Sequence, residues 1–256
     1  MKQGKNLITS AIFLILAVLV VVTGYRNLSY NWQWYRILPY FFSIENGQFV
    51  SGVLLQGLLV TAKISIISLF LSLLLGMVSA FARLSPFISL RVLAWCYVEG
   101  IRNTPLLIQI FVIYFVISPV LGLSAFVSAV IALSLFEGAY SSEIIRSGIV
   151  SIPRGQFEAA QSIGLPTSVL YYRVVIPQML RQTLPMLAGQ SVSLIKDSAL
   201  VSTISIYDLT MQGQKIVSET FLTFEIWFAV ALCYLSVTVT LSFIIRIFEN
   251  RMRYVH

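Results

Sequence analysis

Long runs of Leu, Ile, Val and Phe, separated by short polar stretches, dominate the chain from end to end. A helix needs about 20 apolar residues to cross roughly 30 Å of hydrocarbon. Six runs reach or approach that length: Leu7–Val22, Val53–Phe81, Pro105–Leu121, Ser124–Tyr140, Leu184–Ile206 and Ile226–Ile247. They are continuously apolar, whereas the strands of a membrane β-barrel alternate in segments of about ten residues. The pattern therefore predicts an all-α integral membrane protein with about six transmembrane helices. Lys2 and Lys5 precede the first run, as in a signal peptide, but the run is long and no small-residue cleavage pattern follows Thr23. We expect an uncleaved first span.

Composition agrees with the pattern. The chain is 58% hydrophobic and 11% charged, with a mean hydropathy of +0.88, far from the roughly 25% charged residues of a soluble domain. The net charge of +7 does not point to a nucleic-acid partner, because the basic residues flank the apolar runs and so report orientation in the bilayer. With the N-terminus inside, Lys2, Lys5, Arg83, Arg91, Arg146, Arg154, Arg173, Arg181, Arg246, Arg251 and Arg253 are cytoplasmic, and only Arg26, Arg36 and Lys215 lie outside. Eleven against three is a positive-inside bias that places both termini in the cytoplasm. The outside stretch Tyr25–Glu45 is rich in Tyr, Trp and Phe, which suits an interfacial belt better than a binding cage; Pro39 is expected to break any helix within it. Cys96 and Cys233 sit in apolar surroundings, and the only histidine is His256. No disulfide framework or metal site follows, and histidine chemistry is nearly excluded.

One structured polar island, residues 151–182, interrupts this pattern. Pro153 suits the first turn of a helix, Gly164 suits a left-handed helix end, and Pro166 prevents continuation. Thr167 is positioned to cap a second short helix, about Ser168–Val175, which Pro177 is expected to end. Ala159 and Ala160 leave a small-residue surface on which another protein can close, with the Glu158 charge at its edge. The competing reading is a solvated linker whose Gly and Pro only make turns.

Wider motifs separate these readings. Glu158-Ala159-Ala160, Gly164 and Val174-x-Ile176-Pro177 reproduce the spacing of the EAA signature of ABC importer permeases, with Val and Ile where that family usually has Ile and Leu. Arg102-Asn103-Thr104-Pro105-Leu106-Leu107, Gly138-Ala139-Tyr140-Ser141-Ser142-Glu143-Ile144-Ile145-Arg146, Arg154-Gly155-Gln156 and Ile195-Lys196-Asp197-Ser198-Ala199-Leu200 follow in order. From about Gly52 to Arg253 the chain resembles the polar amino acid uptake branch of type I ABC importer permeases. The resemblance implies a transmembrane domain over 52–253 with a five-helix core, and a cytoplasmic coupling segment at 151–182. Residues 1–51, with the first span and the aromatic stretch, would be an addition to that core. It further implies coupling to a cytoplasmic ABC ATPase dimer through Glu158, Ala159, Ala160 and Gly164. A second permease subunit, identical or related, and an extracytoplasmic amino-acid-binding protein would complete the assembly in a bacterial inner membrane. ATP and Mg would be bound by the ATPase; this chain has no G-x-x-x-x-G-K-[ST] loop, and is not expected to be an enzyme or to carry a cofactor of its own.

Ionisable groups within apolar spans are costly and so are candidates for function. Lys196 and Asp197 fall near the middle of the fifth run. Adjacent helical residues point about 100° apart, so one is free to line a path while the other pairs across an interface; a structural ion pair is the alternative. Glu99 and Arg102, three apart, are expected to pair on one helix face near the cytoplasmic edge, as structural or gate residues. Glu137 is expected near the inner end of the fourth run, with Glu143 and Arg146 leading into the island. Lys63 can snorkel to headgroups, and Gly76 with Ala80 forms a small-xxx-small step suited to helix packing. An ion-driven secondary transporter would predict paired, self-similar halves, which the sequence lacks. A channel or scaffold subunit would leave the ordered cytoplasmic blocks unexplained.

Overall fold

The computed structural model describes residues 12–16, 18–19, 22–24, 30–45 and 47–253. The expected first span, Leu7–Val22, lies partly outside the described residues; its described pieces are helical. The chain divides into two units, Met1–Arg36 and Ile37–His256. Within the first, Trp32 stacks on Trp34 at 5.6 Å and meets Tyr30 edge-on at 5.3 Å.

The second unit opens with α1 (Leu38–Phe41) and a two-stranded antiparallel hairpin, β1 (Phe42–Glu45) and β2 (Gln48–Ser51). Pro39 does not break this helix as expected. It sits in the first turn, where a proline's missing N–H has no partner to lose. The long helices then follow: α2 (Val53–Leu84), α3 (Ile88–Arg102), α4 (Leu106–Leu121), α5 (Ala125–Val150), α6 (Arg154–Ser162), α7 (Thr167–Leu170), α8 (Ile176–Asp197), α9 (Leu209–Thr220) and α10 (Thr223–Arg253). Among the described residues α2, α5 and the 223–247 part of α10 are long and apolar enough to cross a membrane, and α3 with α4 qualifies as one span bent by 109°.

Three expected boundaries move, two where paired or packed polar residues depress local hydropathy and one at a π-turn. The third span does not start at Pro105. The chain already ascends through α3, and Tyr97 donates to Leu135 O of α5 at 2.7 Å. Pro105 marks a corner, where buried Gln109 donates to Ile101 O at 2.8 Å and to Thr104 O at 3.1 Å. The fourth span runs past Tyr140 to Val150, because Glu143 pairs with both Arg146 and Arg83. The second island helix does not end at Pro177. Residues Tyr171–Val175 form a π-turn, and α8 continues through Pro177 and Pro185 to Asp197, then tightens into a 3-10 turn, Ser198–Ile204. A π-turn shifts the hydrogen-bond ladder by one residue, which accommodates the missing Pro177 donor. α7 begins at Thr167 with Pro166, not Thr167, in the capping position.

The core rests on α2 and α5, which run parallel and in close contact. Ser65, Ser68, Ser72, Gly76 and Ala80 are buried along one face of α2, so the Gly76–Ala80 step is part of a longer small-residue stripe. A Cβ on Gly76 would come within 2.7 Å of Ser141 Cβ; only small residues allow backbones this close. α8 packs antiparallel against α5 at Gly148, where a Cβ would collide with Thr183 and approach Met179 Cγ to 3.2 Å. Gly148→Val is therefore expected to overpack this contact, at a cost of about 1–3 kcal/mol, and to lower the melting temperature in detergent. An unchanged melting temperature would contradict the packing.

Candidate functional site

The coupling segment is a short helix with one face turned into the protein. On α6, Ala160 is buried beside Ile149, Ile152, Leu170 and Val175, and Phe157 meets Tyr171 edge-on at 6.5 Å. Glu158, Ala159 and Gly164 are exposed. The expected set of four coupling residues thus divides: Ala160 anchors α6 from within and offers no outer surface, while the other three face outward. The helix end is fixed by hydrogen bonds. Gly164 has φ +74°, Leu165 N donates to Ala160 O at 3.1 Å, and Gly164 N donates to Gln161 O at 2.9 Å. These two bonds form a Schellman closure. Ser151 Oγ bonds Gln182 of α8 at 2.5 Å, so the island is tied to the bundle at both ends.

About two turns before the end of α5, Glu143 joins two helices. Arg83 at the end of α2 donates to its Oε2 at 2.5 Å, and Arg146, one turn on, donates to its Oε1. This is the network leading into the island that the sequence predicts.

A second polar cluster lies in the middle of the bundle. Glu137 sits halfway along α5, not near its inner end, because α5 runs on to Val150. It is 1% exposed. Gln190 of α8 donates to Glu137 Oε2 at 2.5 Å, and Asp197, two turns further along α8, falls on the same helix face as Gln190. Glu137 Oε1 receives no amide, hydroxyl or cationic donor among the described residues.

Lys196, next in sequence to Asp197, turns away from this cluster. It lines a pocket between α8 and α10 with Val192, Thr238, Ser242 and Arg246. The pair is therefore split over two interfaces, as helical geometry requires. Glu99 and Arg102 do not pair with one another. Arg102 lies over the Tyr140 ring, 5.4 Å from its centroid, and Glu99 accepts from Asn103 Nδ2 at 3.3 Å. Glu99 is half-buried and Arg102 exposed, and both lie beyond Tyr97, which docks α3 onto α5.

The sequence reading did not single out Gln190, Tyr140 or Asp208. Asp208 is fully buried, caps α9 by accepting from Met211 N at 2.9 Å, and receives Tyr234 Oη at 3.4 Å. Burial pushes its carboxyl up to about 6. Asp208 three residues before Met211 is an ordinary capping signal; the other two gain meaning only from residues distant in sequence. Among the described residues no group of His, Cys, Asp and Glu could hold a metal ion.

Comparison with known proteins agrees with this architecture. The family model described as "Binding-protein-dependent transport system inner membrane component" matches residues 72–254. The glutamine transport system permease protein GlnP of Escherichia coli strain K12 is 37% identical over 204 residues, 78% of this chain and 93% of its own length. GlnP of Rickettsia conorii is 37% identical over 201 residues, 78% of this chain and 92% of its own. Among solved structures, an amino acid ABC transporter crystallised with histidines superposes with a TM-score of 0.77 at 32% identity, over 87% of this chain and 100% of that one. The methionine transporter MetNI, in an inward-facing conformation, shares the fold, with a TM-score of 0.63 at 19% identity over 78% and 94% of the two chains. This chain belongs to the family of inner membrane components of binding-protein-dependent transport systems.

Proposed function

We propose that this chain is the permease subunit of an ATP-driven importer for a polar amino acid, working by alternating access. A separate cytoplasmic ATPase dimer binds ATP and Mg. A second permease, identical or related, completes the path, and an extracytoplasmic binding protein delivers the substrate. The observation that carries this reading is α6: a short helix closed at Gly164, anchored through Ala160 and Phe157, and presenting Glu158 and Ala159 outward. A helix held this rigidly passes an applied displacement to what it packs on, here α5 and α8 through Ile149 and Met179. In this reading the α6 end of the bundle faces the cytoplasm, in line with the positive-inside bias. The Glu137–Gln190–Asp197 cluster is a candidate substrate or gate element, able to attract the ammonium of an amino acid.

The substrate class is supported by the amino acid transport named for the relatives. Proteoliposomes containing the permease, its ATPase and its binding protein are expected to accumulate labelled glutamine, with competition from unlabelled polar amino acids and none from sugars. Uptake competed by sugars and not by amino acids would overturn the substrate assignment.

A further inference from the structure

At the α6 end of the bundle, α2, α3 and α5 enclose a pocket of about 360 Å³ lined by Arg83, Ile88, Arg91, Val92, Trp95 and Arg146. Three guanidinium groups meet here. Glu143 is the anion paired with two of them, Arg83 and Arg146. Arg91, in the first turn of α3, is exposed and makes no ion pair among the described residues. The pocket therefore carries an uncompensated positive charge of about two, at the junction of three helices.

Its other wall is apolar and faces outward. Ile88, Val92 and Trp95, spaced three and four apart on α3, are 66%, 50% and 54% exposed, and Arg91 lies on the same flank. A soluble anion has no use for that wall, and an acidic protein segment would leave it uncovered. An amphiphile whose anionic head sits among the arginines and whose chain lies along Ile88, Val92 and Trp95 satisfies both sides. Tryptophan favours the depth at which headgroups meet acyl chains, and basic pockets between transmembrane helices on the cytoplasmic side recognise anionic headgroups.

We propose that this pocket is a binding site for one anionic phospholipid of the cytoplasmic leaflet, its phosphate held by Arg91 with Arg83 and Arg146. The inference rests on the membrane orientation of the proposed function but not on its substrate or its coupling. A bound lipid would bridge the ends of α2, α3 and α5 beside Glu143, about two turns before the segment that leads into α6.

Trp95 supplies the readout. In the full complex, with Trp32→Phe, Trp34→Phe and Trp227→Phe leaving Trp95 as the permease's own fluorophore and unlabelled tryptophan-free partners, nanodiscs are prepared with brominated phosphatidylglycerol or brominated phosphatidylcholine. Phosphatidylglycerol is expected to quench Trp95 with roughly tenfold higher relative affinity. Arg91→Gln should remove most of that preference, Arg91→Lys should keep much of it, and high salt should weaken it. Arg91 is exposed, so both variants are expected to fold; unaltered helical circular dichroism verifies this. Equal quenching by the two lipids, or a preference that survives Arg91→Gln, overturns the proposal. Displacement of the brominated lipid by millimolar inorganic phosphate would identify a soluble-anion site. Quenching seen only when the ATPase is omitted would identify a protein contact. Either result also overturns it, and none of these outcomes depends on whether the complex transports amino acids.

Discussion

Replacing Glu158 with Lys and Ala159 with Trp is expected to release the ATPase from the permease and to lower ATP-driven uptake roughly a hundredfold, as removal of a central interface anchor does. Both side chains are exposed on α6, so the fold should survive: detergent-solubilised variant and parent should elute together and melt alike. Ala160→Leu provides the contrast. Ala160 is 5% exposed, and the added carbons would be forced between α6 and the cluster of Ile149, Ile152 and Leu170. That overpacking is expected to cost about 1–3 kcal/mol of stability before it touches any partner. Gly164→Ala should cost about 1 kcal/mol, because an L-residue is strained at φ +74°. If the Glu158 and Ala159 substitutions left ATPase copurification and uptake intact, the coupling role of α6 would be lost.

The second large effect is expected at the bundle centre. Glu137→Gln and Asp197→Asn keep the size of each side chain and remove its charge, and each should lower uptake tenfold or more while leaving ATPase docking unchanged. The magnitude follows from hydrogen bonds to charged groups, worth about 1.5–3 kcal/mol each, and from the factor of ten that about 1.4 kcal/mol represents. Removing both charges together should cost less than the sum of the singles, because the two groups share one environment. A double-mutant cycle in uptake rate measures this; strict additivity, or unaltered uptake in the singles, would remove the cluster from the translocation path. Lys196→Gln is the matched control, since Lys196 faces α10 instead of Glu137.

What the sequence made legible was largely local. The turn at Gly164 and Pro166 is written within a few residues, and the Schellman closure forms where Gly164 permits it. The apolar character of α2, α5 and α10 is equally plain. Depth within the membrane was not, because a hydropathy window charges every ionisable residue as though it stood alone. Glu143 and Arg146 shortened α5 in the sequence reading, yet Arg83, 60 residues away, neutralises Glu143. Glu99, Arg102 and Arg91 concealed α3 in the same way, although Tyr97 and Gln109 dock it and its corner onto the bundle. The continuation through Pro177 depended on a π-turn, which residue preferences do not announce. The partner of Glu137 was visible only once α8 had been folded back antiparallel to α5, placing Gln190 beside it.

The most direct test of the account is uptake by proteoliposomes holding the permease, its ATPase and its binding protein, with either ATP or an ion gradient as the sole energy source. Labelled amino acid should accumulate when ATP is supplied and should not accumulate under a proton or sodium gradient alone. The Glu158→Lys and Ala159→Trp variant should abolish the ATP-driven component. Accumulation driven by an ion gradient without ATP, and indifferent to those substitutions, would contradict the central claim that α6 links this membrane path to an ATPase.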